Sequence, residues 1–521
     1  MRQALLPTAS VRVLTAVAVA LATVVAVAGP AMASSTQPTM LQDDAQLVLG
    51  SQEQRDARLD EFKRLGVDIV KVRLSWRGVA PSNTSRTKPS GFDGADPAAY
   101  PAGAWDPYDA IVRGAEARGL RVLFQLGGNA PEWGTPGKRR SAVHRPNATE
   151  FRAFVRAVGT RYSGTYGGSG GTPAPPPGGG GLPLPVPGMG SGDATAAQAT
   201  PAIPRVVLYS VWNEPNLKSW LSPQRAKGAP ASPAIYRRLL YAAADGLGQS
   251  GHGDDELLLG ELLPYVGTGR GSTRTRPLAF LRELACVKRN FRAYRGKAAK
   301  KRGCAGKFRK LPGTGLAFHP YTLGGGPSVP VRNRDDASIA TLSRVTKTLD
   351  RLRGRLAAGR GMPLWITEFG FQTRPPDRYA TPLRKVPGFM AQSERIAFGN
   401  KRVASFSQYP LVDDRARGGF QSGLRFANGK AKPRVYNAFR HTIYVRRLSG
   451  SRVEVFGAER AASSGDVTIE SKRGKKGKWR SAATVAVNSA GYFRRTLKGS
   501  RSTSYRFRYG SAKSRAARPA R

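Results

Sequence analysis

Short apolar runs alternate with segments of helical periodicity between about residues 45 and 409. The apolar runs end at glycine, proline or a polar residue, as buried parallel strands do. The segments between them space their apolar residues three and four positions apart, which indicates amphipathic helices. Regular alternation of this kind predicts a (β/α)8 barrel. Eight strands are expected, the first being the weakest: 45–50, 68–74, 120–126, 206–212, 257–263, 316–318, 364–367 and 403–409.

The pattern changes after about residue 444 to short strands in which apolar and polar residues alternate. Turn residues separate these strands, which is typical of a small β-sandwich. The expected fold class is therefore α/β: a (β/α)8 TIM barrel over 34–442, followed by a small all-β, sandwich-like module over 443–510. Residues 511–521 are expected to form a basic disordered tail. The strands of the module are predicted at 452–456, 466–470, 478–487, 491–497 and 505–509.

Two segments lie outside this alternation. Residues 1–33 combine a basic start, an apolar run and Ala31-Met32-Ala33, which together predict a secretory signal peptide. A membrane anchor is the alternative, disfavoured because the run is short for a span of about 20 residues. Residues 163–204 are rich in glycine, proline, alanine and serine, which predicts a disordered insertion within the barrel. We therefore expect a secreted, extracellular protein with no transmembrane segment in its mature form.

The expected export of the protein bears on the state of its two cysteines. Cys286 and Cys304 are the only pair in the chain, and an oxidising compartment favours a disulfide between them over two free thiols. Closing a loop of this size would contribute on the order of 3 kcal/mol in the chain-entropy model. Two cysteines and four histidines form no ligand cluster in the sequence, so neither a metal nor another cofactor is expected.

The net charge of +50 is spread along most of the chain. Because no nucleic-acid motif and no regular interleaving of aromatic residues accompany it, a nucleic-acid partner is not expected. Two stretches concentrate the charge: 286–310 holds eleven lysines and arginines and no acid, and 444–521 holds twenty against four acids. They form either a solvated surface or a means of holding the protein on an anionic cell wall or polysaccharide.

Two of the predicted strands end in a glutamate. Strand 206–212 is followed by Asn213-Glu214-Pro215, and strand 364–367 by Glu368. Because the carboxyl ends of barrel strands meet at one face, we expect the two carboxylates to face each other across a substrate. Paired carboxylates are the groups that cleave glycosidic bonds.

The Asn213-Glu214-Pro215 triplet and the segment Thr367-Glu368-Phe369-Gly370 resemble the catalytic signatures of glycoside hydrolase clan A. These are retaining (β/α)8-barrel glycosidases, and within the clan the chain resembles the cellulase-like family 5 and the xylosidase-like family 39. The resemblance runs roughly over residues 47–439. It implies that Glu214 is the acid/base and Glu368 the nucleophile of a cofactor-free hydrolase. The expected substrate is a poly- or oligosaccharide with β-linked sugars.

The resemblance also implies several supporting residues. His319 and Tyr321 match the clan's His-x-Tyr element after strand six, and Tyr321 is the expected donor to Glu368. Arg73 resembles the barrel arginine that hydrogen-bonds the nucleophile, and Asn213 is expected to contact the sugar 2-hydroxyl. Clan A usually has an aromatic residue, often tryptophan, after strand eight; here Tyr409 occupies that place.

Two further residues near the strand ends are less specific. Trp133 could stack on a sugar ring or pack in the core. Glu261, a third carboxylate at the end of strand five, is expected to be structural or to contact the substrate. A non-catalytic carbohydrate- or cell-wall-binding protein that keeps the barrel is the rival hypothesis. The presence of both Glu214 and Glu368 argues against it, and the sugar and endo or exo action stay open.

Overall fold

The computed structural model describes residues 37–137, 141–167, 201–264, 274–322, 325–378, 380–416 and 418–520. The predicted signal peptide and residues 168–200 of the predicted insertion lie outside these described residues. Within them, no helix is long and apolar enough to cross a membrane. Cys286 and Cys304 are joined by a disulfide, which confirms that prediction.

Eight parallel strands close into a barrel in sequential order, with the last strand pairing with the first. The predicted (β/α)8 fold is therefore confirmed. The strands are β1 (Thr39–Gln42), β2 (Ile69–Leu74), β3 (Arg121–Leu126), β4 (Leu208–Val211), β5 (Glu256–Leu262), β6 (Gly315–Phe318), β7 (Leu364–Ile366) and β8 (Val403–Gln408).

Helices connect the strands along the chain. Several begin at a side-chain cap; Asn147, for example, accepts hydrogen bonds from the backbone of Thr149 and Glu150. The α-helices span Asp44–Leu47, Gln52–Arg64, Trp76–Val79, Asp106–Glu116, Ala148–Arg161, Ser232–Gln249, Pro277–Leu284, Gly296–Lys301, Leu342–Arg351, Val386–Phe398 and Val435–Arg440.

The first strand is displaced from its predicted position. It lies at Thr39–Gln42, and the residues predicted as a strand from 45 onward begin as a short helix, Asp44–Leu47. Asp43 caps this helix by accepting a hydrogen bond from the backbone of Gln46. The strand itself is buried at all four positions although two of its residues are polar, so it has no apolar pattern to read.

The barrel interior is apolar at one level and polar at the next. Seven strands each contribute one side chain to the apolar cluster Met40, Ile69, Leu123, Leu208, Leu258, Ala317 and Trp365. Because side chains of a strand alternate, the residue two positions further on points the same way. At that next level the interior side chains are polar: Lys71, Gln125, Ser210, His319 and Thr367. The fold therefore prepares a polar layer beneath the carboxyl ends of the strands.

The C-terminal module consists of two antiparallel sheets around a separate apolar cluster. Its first strand, His441–Arg447, was missed by the sequence pattern. The strands are β9 (His441–Arg447), β10 (Arg452–Glu459), β11 (Asp466–Arg473), β12 (Arg480–Ala486), β13 (Tyr492–Lys498), β14 (Thr503–Tyr509) and β15 (Ala512–Lys513). One sheet has the order β9-β10-β13 and the other β12-β11-β14-β15.

The prediction of a disordered tail is wrong for most of its length. Strand β15 pairs with β14, and Ala517 exchanges two backbone hydrogen bonds with Tyr505. Ala517 is buried in the apolar cluster of the module. Small apolar residues between the basic ones thus fix the segment against the sheet.

Candidate active site

Glu214 lies just beyond β4, where the chain turns sharply. Trp212 and Glu214 both have positive φ angles, of 67° and 34°, which a non-glycine residue adopts only when its surroundings impose it. Trp212 is held by full burial and by its indole, which donates to the backbone of Trp220. The turn places the Glu214 carboxyl in a cleft of about 730 Å³.

Glu368 follows β7 and faces Glu214 across His319. Tyr321 donates a hydrogen bond to Glu368, with 3.0 Å between the oxygens. The side chains of Glu214 and Glu368 keep exposed fractions of 13% and 10%, so both are mostly desolvated but still reach solvent.

The imidazole of His319 is the centre of the site. Its Nδ1 lies 3.1 Å from Glu214 Oε1 and 3.0 Å from Glu368 Oε2. Its Nε2 lies 2.6 Å from Oε2 of Glu261, on the opposite side of the ring. One fully buried ring therefore connects three carboxylates: the two that are predicted to react, and Glu261 beneath them.

Glu261 reaches the barrel interior through an irregularity of β5. The register with β6 shifts between Gly260 and Leu262, and Glu261 has a φ of 50°. Its fully buried carboxylate accepts hydrogen bonds from Lys71 Nζ on β2 at 2.9 Å, from Ser210 Oγ on β4 at 2.6 Å and from Thr367 Oγ1 just after β7 at 2.7 Å. The side chain of Glu261 is fully buried, and the described residues that line the cleft do not include it.

Burial and neighbouring charges shift the pKa values of the cluster's members in different directions. Burial alone would lower the pKa of His319, but Glu368, Glu214 and Glu261 together raise it to about 9. Burial opposes ionisation of Glu261, yet Lys71 and His319 hold its pKa well below its usual range. Burial raises the pKa of Glu214, and the charge of Glu368 adds to that effect. Burial also raises the pKa of Tyr321 far above its ordinary value, so its hydroxyl remains a donor.

The other predicted residues are placed differently. Asn213 lies beside Glu214, and Gln125 donates to its side-chain oxygen at 2.8 Å, which fixes the orientation of the amide. The guanidinium of Arg73 stacks over the ring of Trp220, 5.3 Å from its centroid. The backbone N–H of Arg73 donates to Asp44. Among the described residues, no hydrogen bond or ion pair joins Arg73 to Glu368.

The two predicted aromatic residues lie at different distances from the chemistry. Tyr409 is close enough for the charge of Glu368 to help raise the pKa of its hydroxyl, although burial is the larger cause. Trp133 donates from its indole to the backbone of Pro81 and packs edge-on against Trp76, so it belongs to the packing of the surrounding loops. Among the described residues, those lining the cleft beside Glu214 do not include Trp133.

Three features of the site escaped the sequence pattern. Lys71 stands in the apolar strand Ile69–Leu74, where alternation alone does not tell which face holds the core. Phe420 comes from a loop without periodicity, yet it is 39% exposed and packs against Tyr321 and Tyr409 at the cleft. Arg274 lies close enough to Glu214 for its charge to act on that pKa.

Within the described residues, no group of three His, Cys, Asp or Glu side chains is arranged to hold a metal ion.

No family model and no curated protein matches the sequence. Among solved structures, the chain is similar to a GH30 endoxylanase from Clostridium papyrosolvens C71, with 13% identity over 91% of this chain and 97% of that one and a TM-score of 0.43. It is similar to a glucosidase from Croceicoccus marinus, with 11% identity, coverage of 90% and 94%, and a TM-score of 0.46. A GH5_18 protein from Streptomyces cattleya shows 15% identity, coverage of 78% and 81%, and a TM-score of 0.44.

Proposed function

We propose that the protein is a secreted, retaining glycoside hydrolase that cleaves β-linked O-glycosidic bonds of an oligo- or polysaccharide. The observation that carries this proposal is the pair Glu214 and Glu368, joined by His319 at the carboxyl end of a closed barrel. Glu214 follows the fourth strand and Glu368 the seventh, as the resemblance to clan A glycosidases implies.

The spacing of the two carboxylates favours retention. Because His319 Nδ1 lies 3.1 Å from one oxygen and 3.0 Å from the other, these oxygens are at most about 6 Å apart. Retaining enzymes separate their carboxyl groups by about 5–5.5 Å, whereas inverting enzymes need about 6.5–9.5 Å to admit water. This upper bound lies below the separation that inverting enzymes need, which supports retention.

The surroundings support different roles for the two acids. Glu368 accepts a hydrogen bond from Tyr321, which stabilises the ionised form that a nucleophile needs. Glu214 has its pKa raised by burial and by the nearby negative charge, as a proton donor needs.

In the proposed mechanism, an oxygen of Glu368 bonds to the anomeric carbon while the glycosidic C–O bond breaks. The departing oxygen takes the proton of Glu214. Water then gives a proton to Glu214, and its oxygen displaces Glu368, so the product keeps its anomeric configuration.

Proton NMR of the first-formed sugar tests the proposal, after a screen of aryl β-glycosides and polysaccharides has found a substrate. A retained anomer is expected. With Glu368→Gly, azide is expected to give an inverted adduct; with Glu214→Ala and a good leaving group, it is expected to give a retained one. Release of the inverted anomer by the unmodified protein would disprove retention. Carbohydrate binding without any turnover would instead favour the non-catalytic rival.

We also propose that the module holds the protein on an acidic polysaccharide. The sheet β12-β11-β14-β15 pairs Arg508 with Lys513, and Trp479 lies 4.3 Å from the guanidinium of Arg506. The hairpin between β11 and β12 adds three exposed lysines, Lys475, Lys476 and Lys478. Cations beside an aromatic ring suit a polymer that carries both negative charges and sugar rings.

Binding to polygalacturonate at increasing salt concentration tests this surface, with neutral dextran as the control polymer. Replacing Lys475, Lys476 and Lys478 by glutamine is expected to weaken binding at low salt and to reduce its salt dependence. Unchanged binding of this variant would contradict the proposal, as would equal binding to dextran. Stronger binding to duplex DNA than to polygalacturonate would assign the surface to nucleic acid instead.

A further inference from the structure

We propose that Glu261 and Lys71 are positioning residues. Glu261 holds His319 as an imidazolium, Lys71 balances the charge of Glu261, and the imidazolium serves each of the two reacting carboxylates in turn. The inference rests on the proposed function for its role in turnover. Its structural basis lies in two fully buried side chains, which are not among the described residues that line the cleft.

The hydrogen bonds around Glu261 determine where its neighbours carry their protons. Lys71, Ser210 and Thr367 all donate to its carboxylate. A carboxylate held by these donors and by a lysine ammonium is ionised and acts only as an acceptor. The Nε2 atom of His319, 2.6 Å away, must therefore carry a proton.

The other nitrogen of the ring faces two more carboxylates. Nδ1 lies 3.1 Å from Glu214 and 3.0 Å from Glu368. Because Glu368 is ionised in the resting state of the proposed mechanism, Nδ1 carries a proton as well. With protons on both nitrogens, His319 is a cation between three acids.

A charge count then explains which acid keeps a proton. The buried cluster contains three carboxylates, Glu214, Glu261 and Glu368, and two cations, Lys71 and His319. Burying a net charge is costly, so the cluster favours one additional proton. Glu261 is held by its donors and Glu368 by Tyr321, which leaves Glu214 as the site of that proton. Neutrality of the cluster thus coincides with the state that the first step needs.

During turnover the negative charge changes place. When Glu368 forms an ester with the sugar it becomes neutral, and Glu214, having given its proton to the leaving oxygen, becomes a carboxylate. The N–H of Nδ1 is within reach of both and stabilises whichever is ionised. Glu261 prevents loss of the ring proton, and Lys71 balances the charge of Glu261. Charged or titratable groups facing this cluster are Lys71, Glu214, Tyr236, Glu261, Tyr321 and Glu368, with Arg274 and Tyr409 further out.

Nitrogen NMR of the folded protein labelled in histidine tests the charge state without requiring turnover. The chain has only four histidines, so His319 can be assigned by a His319→Gln variant. We expect both ring nitrogens of His319 to be protonated at pH 7 and to titrate at about pH 9. In Glu261→Gln, titration is expected at clearly lower pH. A neutral His319 ring at pH 7 in the unmodified protein would overturn the proposal.

The pH dependence of kcat provides a second test, because the two positioning variants should act in opposite directions. Glu261→Gln removes a negative charge, so the alkaline limb is expected to move to lower pH, with kcat falling about tenfold or more and KM little changed. Lys71→Met removes a positive charge, so the alkaline limb is expected to move to higher pH. General damage to the barrel would not produce opposite shifts.

Two variants serve as controls. Thr367→Val removes one donor to Glu261 with little change of shape, and the alkaline limb is expected to move slightly, in the direction seen for Lys71→Met. Glu470→Gln breaks an ion pair with Arg506 in the module and is expected to leave the pH profile unchanged. Shifts of the same sign in Glu261→Gln and Lys71→Met would overturn the proposal. Absence of any glycosidase activity would refute the proposed function alone, since the NMR titration would still decide the charge state.

Discussion

Glu214 and Glu368 are the same chemical group at the same level of the barrel, so the difference in role that we propose must come from their neighbours. The clearest difference is Tyr321, which donates to Glu368 and not to Glu214. Its ring also stacks on Phe369, with centroids 6.0 Å apart, so the phenol is held in place independently of its hydroxyl. The hydroxyl can therefore be removed with little effect on packing.

Tyr321→Phe is expected to lower kcat by about 10²-fold, the usual effect of removing one preorganised donor to a reacting charge. The thermal unfolding temperature is expected to stay close to that of the unmodified protein. Steady-state kinetics on the best aryl glycoside measure the effect. Tyr436→Phe, which removes a hydroxyl that donates to Glu61 outside the site, is the matched control. Equal losses of activity in the two variants would show that Tyr321 has no special role.

The residues of the site differ in how far sequence alone reveals them. Glu214 and Glu368 are readable because each directly follows an apolar strand, and a polar residue at a barrel strand end faces the site. The contact between Lys71 and Glu261 cannot be predicted from the sequence. A lysine inside an apolar strand is equally compatible with an outward-facing position. Gly260 within the strand is a sign of a bulge, but it does not tell which way the side chain of Glu261 turns.

Strand β5 shows how backbone geometry supports this chemistry. Gly260 has a φ of 113°, and a Cβ atom placed there would lie 2.6 Å from the backbone oxygen of Ala317 and 2.6 Å from Leu316 Cδ1. Only glycine fits this position beside β6. The close approach of the two strands sets the register shift, and the shift directs Glu261 toward His319.

Gly260→Ala is expected to destabilise the fold by about 1–3 kcal/mol through backbone strain and the clash with β6. It should also lower kcat, because Glu261 is displaced from His319. Gly248→Ala in the helix Ser232–Gln249 is the control, since a Cβ there meets no atom within 4 Å. That change is expected to stabilise the protein by about 0.5–1 kcal/mol. Denaturant unfolding and kinetics of both variants test these expected changes in stability and kcat. A Gly260→Ala protein as stable and active as the original would contradict the role given to Gly260.

Elements were predictable where their pattern is local. Strands β2 to β8 begin and end within two residues of their predicted limits, since each is a short apolar run between clear breaks. The first strand was misplaced because burial at Thr39–Gln42 comes from the closure of the barrel, which involves residues more than 360 positions away. The tail was misjudged for a related reason, because its pairing with β14 depends on the finished module.

At the scale of the whole molecule, buried ion pairs connect the module to the barrel. Arg460, from the segment after β10, donates to Glu394 on the helix Val386–Phe398 at 2.6 Å and to Thr39 in β1 at 2.7 Å. Tyr492 in β13 donates to the same Glu394 at 2.7 Å. Arg395 on that helix pairs with Glu454 in β10 through two hydrogen bonds. With such contacts, we expect the barrel and the module to unfold together.

Arg460→Met tests this coupling most directly. The side chains of Arg460 and Glu394 are 2% and 1% exposed, so removing the cation leaves Glu394 buried without its charge partner. The expected loss is about 3–5 kcal/mol in the free energy of unfolding. Arg506→Met, which breaks the more exposed pair with Glu470, should cost only about 0–1 kcal/mol.

Guanidinium unfolding of both variants, followed by circular dichroism and by enzymatic activity, measures the two losses. We expect the two signals to coincide in the unmodified protein, because loss of Arg460 contacts frees Thr39 in the first barrel strand and exposes Glu394 at the same time. Replacing both Arg460 and Glu394 by methionine should recover part of the stability, since no unpaired charge then remains buried. Activity that persists through a first structural transition would show instead that the barrel is stable without its module.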